Sequence, residues 1–418
     1  MTHQIDGPAH AADSLGEYTI VHTIADMGDE WRDISAMLPW TPEWLAISED
    51  EPGNRSRYMV QRSGTATQAG IVWHITDGSG WELVDPVHLL LTAPPPPSPI
   101  GDKELVELTE AQSRVDPSLM YPAAVSMLPA AYKPGLARTT GADAPYIDEM
   151  LDRYESSARA EGARSVAVMY VSETDRVLQQ VLRSRGYSAI RSMVDCVLHI
   201  QWASIDEYLE WLPAKRRRKI RRERQDFAAS GLQVVTADLD TIGRRHAELF
   251  GDHMRRYGHS MSTEEAVERL DSILGHLGPW CHLLEARRGD AIEGFIVYYL
   301  ADGAIYAKVI GIGDAPGNPF LYFNIGYYAL LEAAIANGAS SISYGPEAYD
   351  AKALRGCTPE LRTSYLLSSG ASASQIERIA VPLLSDTRER MAGYPWDPRL
   401  IGSLVPEIVA DDEIGESQ

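Results

Sequence analysis

The sequence predicts an α/β fold on mixed sheet, built as two successive units of one plan. Three observations carry this. Apolar runs of strand length recur along all 418 residues, with amphipathic runs of helix length between them. Residues 143–200 close as helix, strand, helix, strand, and residues 320–368 repeat that order. Apolar residues make up 44% and charged residues 23% of the chain, an ordinary globular balance, and the length suits two domains better than one. The expected division is 1–198, then 199–392, then an acidic tail, 393–418.

The elements follow in order. The first dozen residues read as a loose tail. Residues 19–24 read as a strand, and 28–38 as a helix. Two strands follow, 58–62 and 68–75, with Asp77-Gly78-Ser79-Gly80 as a turn between strands. Residues 94–99 hold five prolines in six positions and predict an extended surface loop. In 143–161, Ile147, Met150, Leu151, Tyr154 and Ala158 share one helical face, and Gly162 ends the run. Residues 165–171 form a buried-type strand. A helix over 174–185 turns Val177, Leu178, Val181 and Leu182 inward, and a strand follows at 192–200. In the second unit, strands are expected at 232–236, 281–286, 291–300 and 304–312, with helices at 239–256 and 263–274 after the first of these. Asn318-Pro319 is a good start for a helix over 320–337. A short strand (340–344), a short helix (349–355), a strand (362–368) and a helix (372–390) complete the pattern.

Charge and cysteine content exclude several classes. There are 38 basic and 59 acidic residues, a net charge of −21. Broad binding to DNA or to an anionic membrane is disfavoured, which leaves room only for a local basic patch. The three cysteines, Cys196, Cys281 and Cys357, form no CxxC pair, so neither a disulfide framework nor a zinc ribbon is expected. His246, His253 and His259 do not share one helical face, and no metal site is expected. The first residues lack a basic start followed by an apolar core, so the expected location is cytoplasmic. No P-loop and no HExxH occurs. The run Gly311–Gly317 falls one place short of a dinucleotide fingerprint and reads as a strand-to-helix loop. Cys357 has no adjacent base that would make it a nucleophile.

Three constellations stand out. Residues 215–224 hold eight basic side chains and one acid. Arg217, Arg218, Arg221 and Arg222 are candidate ligands for a polyanionic donor, with a solvated helix face as the bland alternative. Residues 344–356 gather Glu347, Tyr349, Lys352 and Arg355 just after a strand end, where open α/β sheets place ligand groups. Glu347 can act as a base, while Lys352 and Arg355 can hold an anion. In the helix beginning Leu321-Tyr322-Phe323-Asn324, aromatic residues such as Tyr328 are mostly core filling, and Asn324 is the polar exception.

The run LYFNIGYYALLEAAIANGASSISYGPEAYDAKALRG resembles the later half of the Fem-like acyltransferases, a peptidoglycan-biosynthesis-related group of the GNAT fold. LPAKRRRKIRRERQDFAASG is similar to the basic helix that opens their second domain. SARAEGARSVAVMYVSETDRVLQQVLRSRGYSAIRSMVD resembles the end of the first. The likeness covers about residues 140–370 and implies two tandem GNAT-like domains. It also implies transfer of an acyl or aminoacyl group to an amine by direct attack, with acyl-CoA or aminoacyl-tRNA as co-substrate and no tightly bound cofactor. In such a domain the fourth and fifth strands splay and admit the donor. Here these are 304–312 and 340–344, which places Tyr306, Lys308, Glu347 and Tyr349 near the gap, with Asn324 and Tyr328 as further substrate contacts. Glu347, Tyr349 and Lys352 are the expected catalytic residues, Lys352 matching the family lysine. The acyl-CoA loop [RQ]xxGx[GA] is absent before the 320–337 helix, where GDAPGNP stands, and the coiled-coil insertion of some Fem-type enzymes is missing. Three readings result: an N-acyltransferase acting on a small amine acceptor, an aminoacyl-tRNA-dependent aminoacyltransferase that meets tRNA at the basic helix, and a non-catalytic ligand-binding module.

Overall fold

The computed structural model describes residues 16–50, 55–79, 82–313 and 319–400. The first unit runs β1 (Glu17–Val21), α1 (Pro42–Glu49), β2 (Ser56–Ser63), β3 (Ala66–Thr76), α2 (Pro86–Leu91), α3 (Asp102–Ser113), β4 (Ala123–Ser126), β5 (Leu136–Arg138), α4 (Ala144–Ala160), β6 (Ser165–Ser172), α5 (Arg176–Ser184) and β7 (Ser188–His199). The second runs α6 (Ile205–Trp211), α7 (Ala214–Ala229), β8 (Gln233–Ala237), α8 (Arg244–Arg256), α9 (Thr263–Leu277), β9 (Cys281–Arg288), β10 (Ala291–Ala301) and β11 (Ala304–Ile312). It continues with α10 (Leu321–Phe323), a π turn (Asn324–Ala329), α11 (Leu330–Ala336), β12 (Ser341–Gly345), α12 (Tyr349–Ala353), β13 (Thr358–Ser368) and α13 (Ala373–Ala392).

Both units obey one rule. An antiparallel run ends in a strand, β4 or β11. A helical segment then leads to a parallel neighbour, β6 or β12, and a last helix leads to an antiparallel strand, β7 or β13. This is the mixed α/β plan of two successive units that the sequence predicts. All the strands join in one sheet, in the order β1-β2-β3-β4-β6-β13-β7-β12-β11-β10-β9-β8, with β5 beside β3. The last strands are exchanged. β13 lies against β6 of the first unit, while β7 lies against β12 of the second. The two also pair with each other from Thr358↔Val197 to Leu366↔Ser188. The sheet therefore runs through the 198/199 division of the sequence.

Burial follows the sequence pattern where that pattern is strong. Ile147, Met150, Leu151, Tyr154 and Ala158 of α4 are all fully buried. They pack with Leu178, Val181 and Leu182 of α5 on one face of the first unit, whereas Val177, expected inward, lies on the exposed side of the helix. Another cluster joins α2, α3 and α13. A third binds residues 24–47 to α8, α9 and β9–β11, so the early chain is packed onto the second unit.

Residues 28–38 correct one expectation. They form only short 3-10 turns, Asp29–Trp31 and the start of Leu38–Trp40. Trp31 stacks on Trp40 at 4.6 Å and donates its Nε1–H to the Trp40 carbonyl at 2.7 Å. Burying two indoles against each other outweighs the weak helical pattern. The following helix α1 starts on Thr41, whose hydroxyl accepts from the Trp44 amide, with Pro42 at the first position. The expected strand at residues 19–24 lies earlier, as β1. The 320–337 helix is interrupted by the π turn. The expected cap Asn318, Gly80 of the early turn, residues 314–317 of the glycine run, the first dozen residues and most of the acidic tail lie outside the described residues.

Candidate active site

β11 and β12 pair in parallel over only three positions, Ala304↔Ser341, Ile305↔Ile342 and Tyr306↔Ser343. Beyond them β11 runs on to Ile312 beside β10 alone, while β12 turns away at Gly345 beside Cys196 of β7. The sheet forks there, at the two strands the sequence singled out. Within the fork β11 carries a bulge. Val297 faces Val309 and Tyr298 faces Ala307, which leaves Lys308 without a partner on β10. A bulge re-aims the side chain of its extra residue.

Lys308 reaches the first unit. Its Nζ donates to the Ala130 carbonyl at 2.6 Å and lies 5.5 Å from the Trp44 ring and 6.0 Å from that of Tyr132. The receiving loop joins β4 to β5. It is held by the Trp44 Nε1–H on the Pro129 carbonyl at 2.7 Å and by the Leu128 amide on the Lys133 carbonyl at 2.9 Å. Ala130 (φ 54°) and Tyr132 (φ 51°) both sit in the left-handed region, which costs side-chain-bearing residues and marks a conformation imposed by its surroundings. Burial pushes the Lys308 ammonium down to about 8, against the pull of Asp195; Lys133 and Lys352 lower it further. Tyr306 lies behind, tilted on Trp44 at 6.1 Å, and burial pushes its hydroxyl up to about 12.

The other wall is the loop from Gly345 to Ala348. Gly345, Glu347 and Ala348 all have positive φ, 70°, 66° and 46°. Lys352 holds this loop. It is 3% exposed, and its Nζ donates to the carbonyls of Tyr344 (3.1 Å), Gly345 (2.8 Å) and Pro346 (2.6 Å). An ammonium has three donors, and here all three are spent. Glu347, Tyr349 and Tyr394 line a shallow cavity of about 400 Å³. Tyr349 donates to the Val194 carbonyl at 3.3 Å, and burial raises its hydroxyl. Tyr132 stands between this loop and Lys308, its hydroxyl raised first by burial and then by the charge of Glu347.

Three of the expected ligand contacts are instead locked in the core. Arg355, 4% exposed, gives Nη2 to Glu223 Oε2 at 2.8 Å and to the Tyr328 hydroxyl at 2.7 Å, and lies 3.8 Å over the Phe323 ring. Tyr328 also donates to Glu223. Asn324 donates to the Glu223 carbonyl at 3.3 Å and to the Phe320 carbonyl at 2.9 Å. A buried arginine beside its carboxylate has no hydration left to exchange for a ligand, so Arg355, Asn324 and Tyr328 brace α7 against the π turn. On α7, Ile220, Glu223 and Phe227 face inward and Lys215, Arg218, Lys219, Arg221 and Arg222 outward. Arg222 pairs with Asp226 at 3.4 Å, and Arg217 gives a hydrogen to the Glu210 carbonyl at 3.3 Å.

Sequence reading missed Glu223, Tyr132, Lys133 and Asp195. Glu223 had a signal: it is the one acid in the basic run, three residues after Ile220 and four before Phe227, hence on the inner face. Asp195 is 1% exposed on β7. It lies 3.3 Å from Arg362 Nε and 3.9 Å from Lys133 Nζ, and its Oδ1 has no hydrogen-bond partner among the described residues. Cys357 is fully buried and its thiol is raised by burial, the reverse of an activated nucleophile. Among the described residues no group of His, Cys, Asp or Glu is arranged to hold a metal ion, and no helix is long and apolar enough to cross a membrane.

The plan recurs in a solved structure. The crystal structure of FemX superposes with a TM-score of 0.56 at 11% identity, covering 84% of this chain and 98% of FemX. A tandem GNAT protein from the clavulanic acid biosynthesis pathway gives 0.48 at 12% identity over 85% and 100%. L-PGS from Bacillus licheniformis gives 0.46 at 11% over 86% and 94%. No curated protein sequence matches. The family profile described as FemAB-like, peptidoglycan biosynthesis/recognition, matches residues 108–386, a span that takes in both forks, α7 and β13, and the chain belongs to that family.

Proposed function

We propose that this chain transfers an acyl or aminoacyl group to the amine of a small acceptor at the fork between β11 and β12. The observation that supports it is Lys308. A cation kept among Trp44, Tyr132 and the Ala130 carbonyl is disfavoured by burial, so with a pKa of about 8 roughly a tenth is a free amine at pH 7 and about half at pH 8. Its affinity for a proton then matches that of an attacking amine, the condition for efficient proton transfer. In this reading the acceptor amine attacks the carbonyl carbon of the donor, and the leaving oxygen or sulfur departs. Lys308 takes up the amine's proton while still donating to Ala130. The unpaired edge of β11 beyond Tyr306 offers backbone N–H groups to the developing oxyanion. Lys352 acts at one remove, fixing the loop that presents Glu347 and Tyr349.

One observation favours aminoacyl-tRNA over acyl-CoA as the donor. The outer face of α7 presents Lys215, Arg218 and Arg221, exposed and without an acidic partner among the described residues. That is a footprint for a phosphate backbone on an otherwise acidic chain. The test is incubation of purified protein with a panel of acyl-CoAs and charged tRNAs together with amine acceptors, read by mass spectrometry. Consumption of a donor, abolished in Lys308→Met, supports transfer at the fork, and RNase sensitivity identifies tRNA. Full turnover by Lys308→Met would overturn the assignment.

A further inference from the structure

The first unit has a fork of its own, at β4 and β6, which pair in parallel from Ala123↔Ser165 to Ser126↔Val168 before β4 turns away. Beside it is a cavity of about 590 Å³ lined by Leu128, Lys133 and residues 136–143, by Ser172 and Val177, and by Met37 and Trp40 of the early chain. That volume suits a small molecule. We propose that this cavity is a second ligand site, for a small monocarboxylate with an apolar body. The proposal does not depend on acyl transfer at the other fork.

Lys133 gives the site its charge. Its side chain is 19% exposed and lines the cavity, yet its ammonium donates no hydrogen bond to any described residue. Its nearest acid is Asp195, at 3.9 Å, and that carboxylate is shared with Arg362 at 3.3 Å. Arg362, also in the lining, spends a second nitrogen on Glu360 at 2.8 Å. A mostly buried ammonium with unused donors calls for an acceptor, and a ligand carboxylate supplies one. The remaining walls are mixed: Trp40, Leu128, Leu136 and Ala142 give an apolar side, while Thr139, Thr140 and Ser172 add hydroxyls. Leu128 and Trp40 are buried, while Met37 (39% exposed) and Val177 (40% exposed) form an apolar rim. The rim also decides against polyanions. Arg138 is consumed by a two-pronged bond to Asp175 at 2.8 and 2.9 Å, and Asp143 stands exposed beside it without a side-chain hydrogen bond to the α4 cap. A phosphate chain would meet two carboxylates and no free arginine.

Isothermal titration of the full chain with octanoate tests this, with 1-octanol and pyrophosphate as companion probes. The expected result is one-to-one binding of octanoate. Lys133→Met weakens it about ten- to a hundredfold, the loss of a charge-assisted hydrogen bond, and leaves 1-octanol binding unchanged. Val177→Trp, at an exposed position that does not threaten folding, weakens both ligands. Lys308→Met, at the other fork, changes neither. Absence of octanoate binding at millimolar concentration overturns the proposal, as does equal binding by Lys133→Met and Val177→Trp. Competition by pyrophosphate at similar strength overturns the choice of a monocarboxylate. If Lys133→Met does not fold, Val177→Trp alone decides.

Discussion

The two forks share a strand plan and differ in what fills them. Beside the fork of β4 and β6 a cavity of about 590 Å³ stays open, walled by β5, the loop after it and the end of β6. Between β11 and β12 the space is crossed by Lys308, which is met by Ala130 and Tyr132 from the first unit. One loop serves both: residues 129–132 close on the second fork, and Lys133 lines the cavity beside the first. The difference shows that topology creates the opening and a few long side chains decide its chemistry. A lysine is charged or neutral according to how much water and how many carbonyls surround it.

Replacing the fork lysine should have the largest effect. Lys308→Met is expected to lower the rate of acyl transfer by about 10²–10⁴-fold, the usual contribution of a positioned base. Lys308→Arg should not rescue it, because a guanidinium stays protonated. The wild-type rate should rise with pH through about 8, as Lys308 loses its proton, and a pH–rate profile checks this. An unchanged rate in Lys308→Met would make the two forks equivalent. Next come the polar locks. Glu223→Ala leaves Arg355 buried and uncompensated, a loss of about 3–5 kcal/mol in denaturant unfolding. Its nearest counterpart in the first unit, Asp175, pairs with Arg138 at a half-exposed rim and caps α5 through the Leu178 amide at 3.1 Å. Asp175→Ala should cost only about 1–2 kcal/mol, mainly the cap. Equal losses would contradict the contrast between the buried lock of the second unit and the partly exposed rim of the first. The smallest effect on stability belongs to the outer face of α7. Arg218→Glu with Arg221→Glu should shift unfolding by no more than about 0.5 kcal/mol. It should still weaken donor binding and flatten its salt dependence.

What could be read in the sequence follows the range of the interactions. The inner face of α4 and the strands around the second fork are set by patterns within twenty residues, and all are found where the pattern places them. The exchange of β7 and β13 was not legible, because Val194 faces Leu361 across a long stretch of chain that no local periodicity reports. Tyr132 and Lys133 belong to a loop whose left-handed residues carry no glycine signature. Lys352 was conspicuous as one of six lysines, yet its partners are the carbonyls of a loop six to eight residues earlier, a local bond that composition does not reveal. Arg355 and Asn324 resembled ligand groups by type. Only the inward turn of Glu223 shows that they serve the core.

The state of the fork lysine can be measured directly, because the chain holds only six lysines (Lys103, Lys133, Lys215, Lys219, Lys308 and Lys352). In protein labelled with ¹³C at lysine Cε, the account predicts an NMR resonance that titrates with a midpoint near 8 and vanishes in Lys308→Met. The sign carries through to stability. The folded chain then holds fewer protons than the unfolded chain between about pH 8 and about pH 10.4, so this group's contribution to stability rises with pH across that window. If the resonance lost in Lys308→Met instead titrates at about 10 or above, Lys308 stays a cation at neutral pH and cannot be the proton acceptor.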